Sequence, residues 1–77
     1  MGFINDYFSR SLYAKRMQTG SEFESQNKYQ QAINAYKGAE SIAKSYNDES
    51  CIKQTQISIK RCKEKIDIER QSEGLEL

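Results

Sequence analysis

Gly20, Phe23, Ala32, Tyr36 and Ala39 follow the spacing Gly-x2-aromatic-x8-Ala-x3-aromatic-x2-Ala, and Tyr29 stands three residues ahead of the first alanine. This pattern constrains the fold more than any other feature of the chain. Small residues at Gly20, Ala32 and Ala39 allow two antiparallel helices to approach closely, while Phe23, Tyr29 and Tyr36 fill the space beside the contact. The pattern describes a packed scaffold without a catalytic site.

The rest of the chain fits helices joined by short turns, because proline is absent and Asn, Asp, Gly and Ser cluster at a few places. The spacing predicts a first helix over residues 3–26. A turn follows at Ser25-Gln26-Asn27-Lys28, with Asn27 as N-cap of the second helix and Gln30 completing a capping box. The second helix is expected over residues 28–45. A second turn is expected at Tyr46-Asn47-Asp48, where Asn47 or Asp48 caps a third helix over residues 49–70. Residues 1–70 thus form the domain, and residues 71–77 are expected as a frayed tail or the start of a linker.

The second helix has two adjoining faces of apolar or small residues. Tyr29, Ile33, Tyr36 and Ala43 form one; Ala32, Ala35, Ala39, Ile42 and Tyr46 form the other. A helix covered on two sides lies between two partners. The third helix has one seam, Ile52, Thr55, Ile59, Cys62 and Ile66, which closes an antiparallel three-helix bundle. The first helix is less regular, with Ile4, Phe8, Leu12, Thr19 and Phe23 on one seam and Phe3, Tyr7, Ala14 and Met17 on another.

Composition narrows the functions open to such a bundle. A 77-residue chain with 36% hydrophobic residues supports a core worth roughly 3–5 kcal/mol net, too small to surround a deep substrate pocket. The formal charge of +1 gives no global attraction to nucleic acid or anionic membrane. Histidine is absent, which removes imidazole acid–base and metal chemistry. Cys51 and Cys62 lie about 16 Å apart along one helix, too far to bridge and too few for a zinc site. They are expected as reduced thiols in a cytoplasmic protein, with Cys62 in the core. The chain has neither a membrane-spanning apolar run nor a secretory signal, and Asp6 occupies the position where a myristoylation signal needs Ser or Thr. No catalytic residue, cofactor or metal ligand is expected.

The hairpin resembles those of tetratricopeptide repeats and of MIT domains, the microtubule-interacting and trafficking modules. A second repeat is missing: 34 residues beyond the pattern stand Gln54, Ile57, Ile66, Arg70 and Glu73. A hairpin closed by a long third helix is the MIT arrangement. That resemblance covers residues 12–66 and is most specific from Asn27 to Ala39, with Ile52-Lys53 and Ile59-Lys60-Arg61-Cys62 in the third helix. It implies a noncatalytic adaptor that captures short peptide motifs, typically the tails of ESCRT-III-like filament proteins, and works in protein transport at endosomal membranes. In the family such peptides dock in the grooves beside the third helix.

The residues point independently to that helix. Lys53, Lys60, Arg61, Lys63 and Lys65 face a lone Glu64 between residues 50 and 66, so it is locally basic. Ile57 and Ile68 lie about 160° and 180° around it from Ile59, away from the seam. Lys53, Ile57, Lys60, Arg61, Glu64, Lys65 and Ile68 are therefore the expected partner-binding residues. The expected partner is an acidic amphipathic segment rather than nucleic acid, and the domain is expected as a monomer. Two alternatives are a short tetratricopeptide-like adaptor of bacterial or viral origin, paired through the third helix, and a peripheral membrane element. In the second, Phe3, Ile4, Tyr7, Phe8 and Leu12 insert between headgroups contacted by Arg10, Lys15 and Arg16.

Overall fold

The computed structural model describes the backbone of residues 2–75 and the side chains of residues 10–71. The chain folds as α1 (Gly2–Ser25), α2 (Tyr29–Ser45) and α3 (Glu49–Leu75), an all-α three-helix bundle. The first, second and third helices are as the spacing predicts, except that α3 runs beyond Arg70 to Leu75.

Both turns close in the same way. Lys28 N–H donates to the Phe23 carbonyl (2.9 Å) and Asn27 N–H to that of Glu24 (3.0 Å). Asp48 N–H donates to Ala43 (3.1 Å) and Asn47 N–H to Lys44 (3.2 Å) in the second turn. These are Schellman closures, and they require a left-handed residue just past each helix: Asn27 at φ 63° and Asn47 at φ 56°. Asn27 is therefore the residue that ends α1, not the N-cap of α2. Lys28 holds the N-cap position without a side-chain hydrogen bond, and Gln30 turns instead to Asn34 (Nε2 to Oδ1, 3.5 Å). Asn27 Oδ1 accepts from the Tyr29 hydroxyl (2.8 Å). Asp48 does cap α3, accepting from Cys51 N–H (3.1 Å), and that bond holds its carboxyl below the usual range.

Helix α2 packs on α1 along one side and on α3 along the other. Ala32, Ile33, Tyr36, Ala39 and Ala43 are buried on it, so both expected faces are used. Thr55, Ile59 and Cys62 form the buried centre of the α3 seam, with Ile66 packed at its margin. Ser58 joins them at 7% exposure. The α1 edge is the one that departs from expectation. Thr19 and Ala14 are exposed, and the helix turns Tyr13, Met17, Gly20, Phe23 and Glu24 inward. The close contact with α2 is set by the small residue in that row, Gly20, and by the Tyr36 ring lying against it.

The ring of Tyr46, at the end of α2, carries the Arg10 guanidinium 5.8 Å from its centroid, so the helical residues before Arg10 run on past α2. At the other end Ile66 lines a cleft with Asn27 and Tyr29, so the end of α3 overhangs in the opposite direction. The molecule is 58 Å long, against about 25 Å for the 17-residue α2 alone. The side chains of Phe3, Ile4, Tyr7 and Phe8, invoked for membrane insertion, lie outside the described residues. No helix among the described residues is long and apolar enough to cross a membrane.

Cys62 is fully buried and Cys51 half-buried, both as free thiols. Burial raises the pKa of the Cys62 thiol, which further slows its reaction as thiolate. In the folded protein a thiol reagent should label Cys51 promptly and Cys62 about a hundredfold or more slowly, because Cys62 reacts only when the core opens. Equal rapid labelling of the two would remove Cys62 from the core.

Candidate functional site

All seven residues expected to bind a partner are exposed, with Ile57 at 61% and Ile68 at 58%. They do not share one face. Helical geometry puts Lys53, Ile57, Glu64 and Ile68 on the side of α3 opposite its buried edge, and Lys60 on the flank toward α2. Arg61 and Lys65 turn toward α1. There the Arg61 guanidinium grips Glu24 with two nearly parallel bonds, Nε to Oε2 at 2.5 Å and Nη2 to Oε1 at 2.8 Å. The Tyr36 hydroxyl donates to the same Oε1 at 2.8 Å. One carboxylate from α1 thus ties a tyrosine of α2 to an arginine of α3.

The electrostatics follow from that clasp. Arg61, Tyr36 and the nearby charge of Lys65 hold the Glu24 carboxyl below its ordinary pKa against the opposing effect of burial. Burial, reinforced by the Glu24 charge, pushes the Tyr36 phenol up to about 12. Glu24 raises the Arg61 pKa further above its already high value. Two of Arg61's donor nitrogens are therefore occupied within the domain, while the side chain as a whole stays about half exposed (47%).

A second feature along α3 lacks an equally clear signal in the sequence. The cleft between α2 and α3 contains two adjoining depressions of about 330 and 290 Å³ that share Lys37 and Lys63. Ile33, Ile59 and Ile66 form its floor, and Lys60, Glu40 and Asp67 stand at its rim. Lys63 belongs to the basic run of the third helix but not to the expected partner-binding set, and Lys37 to neither, because each reads as an ordinary solvated lysine. Their positions one helical turn from Lys60 and from Ile33 were the available clue.

Among the described residues no cluster of three or more His, Cys, Asp or Glu could hold a metal ion. The Tyr13 hydroxyl is spent on the Cys51 carbonyl at 3.5 Å, and its pKa is raised by burial and by Cys51. No protein-family model, curated protein or solved structure matches the chain.

Proposed function

We propose that this chain is a noncatalytic protein-interaction module that seats a short acidic amphipathic helix along α3. The observation that carries the reading is the pair of exposed isoleucines, Ile57 and Ile68, on one face of a helix that also presents Lys53 and Lys60. An isolated exposed isoleucine needs no explanation, whereas two aligned on one face supply the apolar anchors of a helix-docking surface. The lysines select carboxylates. Exposed charge pairs are individually weak, so the isoleucines supply most of the affinity and the lysines mainly orientation and encounter rate. The resemblance to MIT domains suggests tails of ESCRT-III-like filament proteins as the partner class, and recruitment to endosomal membranes as the consequence.

A fluorescent peptide with leucines along one helical face and glutamates beside them tests the reading, with a scrambled peptide of equal charge as control. Ile57→Asp should abolish binding without loss of helicity. Lys60→Glu should weaken it several-fold and flatten its salt dependence. Equal binding of the scrambled peptide, or undiminished binding by Ile57→Asp, would sink the proposal.

A further inference from the structure

The outer stripe of α3 is complementary to itself. Ile57, Arg61, Glu64 and Ile68 lie within about 60° of one another around the helix, and all four are exposed. Consider a second α3 laid antiparallel on the first, with the crossing point between Cys62 and Lys63. Ile57 of one copy is then level with Ile68 of the other, and Arg61 is level with Glu64. Two-fold symmetry makes each of these pairings twice.

We infer that α3 pairs with α3 of a second copy of this chain, in antiparallel register, through Ile57, Arg61, Glu64 and Ile68. On one margin of the pair Lys60 falls within one residue of Glu64 of the second copy, giving an opposite-charge contact on each side of the axis. On the other margin Arg61 and Lys65 approach their counterparts, and there each copy's own Glu24, bonded to Arg61, offsets the positive charge. The Arg61 side chain remains about half exposed despite its bonds to Glu24, so its unbonded nitrogen is available to Glu64 of the second copy.

An antiparallel contact of two single helices over this span buries less than about 1,200 Å² in total, the size of weak and transient association. The expected monomer therefore exists when the protein is dilute, and the dimer forms as concentration rises. The inference rests on the reading of the outer face of α3 as a docking surface and adds regulation to it. A second copy covers Ile57 and Ile68, so self-pairing and peptide binding exclude each other.

Sedimentation velocity on the full chain, over a series reaching about 1 mM, tests the pairing. Wild type should shift from monomer to dimer, while Ile57→Asp and Ile68→Asp stay monomeric with unchanged helicity. Lys60→Glu leaves the stripe margin acidic, and Glu64→Lys leaves it basic. Each alone should remain monomeric, and an equimolar mixture should form a heterodimer at least about tenfold tighter than either self-pair. A wild type that stays monomeric throughout, or a mixture no heavier than its components, overturns the inference. So does a dimer that binds the acidic peptide without dissociating. Peptide binding is measured separately on dilute, monomeric protein. Binding there without dimer formation at high concentration defeats only the pairing, and a dimer whose monomer ignores the peptide defeats only the proposed function.

Discussion

Tyr36→Ala is expected to leave the chain largely unfolded at room temperature. The Tyr36 side chain is 2% exposed and is among the largest fully buried groups in the bundle. Removal of a buried aromatic ring costs about 3–5 kcal/mol, as much as the roughly 3–5 kcal/mol net that a core of this size supplies. The ring also has no substitute. It fills the angle where α1, α2 and α3 meet, between Gly20 on one side and the Glu24–Arg61 pair at its hydroxyl end. Tyr36→Phe separates the two contributions, since it keeps the ring and removes only the bond to Glu24. That carboxylate stays paired with Arg61, so Tyr36→Phe should cost about 1 kcal/mol. Urea titrations followed by far-UV circular dichroism measure both. A Tyr36→Ala variant with a cooperative transition close to wild type would show that the ring is not the keystone of the core.

The parts of this fold that were legible in the sequence are those written in local spacing. Ala32, Ile33, Tyr36 and Ala39 mark two covered sides of α2, and Thr55, Ile59 and Cys62 mark one covered side of α3; each set is buried. Asp48 was legible as one of two candidate caps, with Asn47, and the structure selects it: its carboxylate accepts from the amide of Cys51, while Asn47 takes the left-handed position that ends α2. Asn27 was misread because asparagine suits both an N-cap and a left-handed helix end. Hydrogen bonding of the reversing chain to Phe23 and Glu24 decides between them. The inward row of α1 was obscured for a related reason. Gly20 in that row was legible from its spacing to Ala32 and Ala39, but Glu24 was not, because a hydrophobic-periodicity reading passes over a charged residue.

The candidate surface divides along the same line. Exposure of Ile57 and Ile68 follows from the helical period alone, and the structure places them accordingly. Arg61 was grouped with the partner-binding cations because its ion-pair partner is 37 residues away, and nothing local marks Glu24 as that partner. With two of its nitrogens bonded to Glu24, Arg61 presents only part of its guanidinium at the outer face, and Lys53 and Lys60 supply most of the positive charge there.

Gly20→Ala should destabilise the wild-type protein and stabilise one that lacks the Tyr36 ring. Alanine improves an α-helix by about 1 kcal/mol over glycine, and Gly20 lies in α1 without a positive φ, so no backbone barrier opposes the change. The obstacle is steric. A Cβ at position 20 would lie 2.5 Å from Tyr36 Cε1, 2.7 Å from Cδ1 and 2.8 Å from Cζ. A rigid ring held at its far end by Glu24 cannot yield as a flexible chain would, so one of the helices must move. Overpacking of this kind costs about 1–3 kcal/mol, which exceeds the helical gain. In a Tyr36→Leu background the clash disappears and the helical gain remains. The sign of the Gly20→Ala effect should therefore invert, with a coupling energy of about 2 kcal/mol in a double-mutant cycle. Thermal unfolding of all four proteins in trimethylamine N-oxide keeps the weaker backgrounds folded for the comparison. An equal Gly20→Ala effect in both backgrounds would mean that Tyr36 does not set the closeness of α1 and α2.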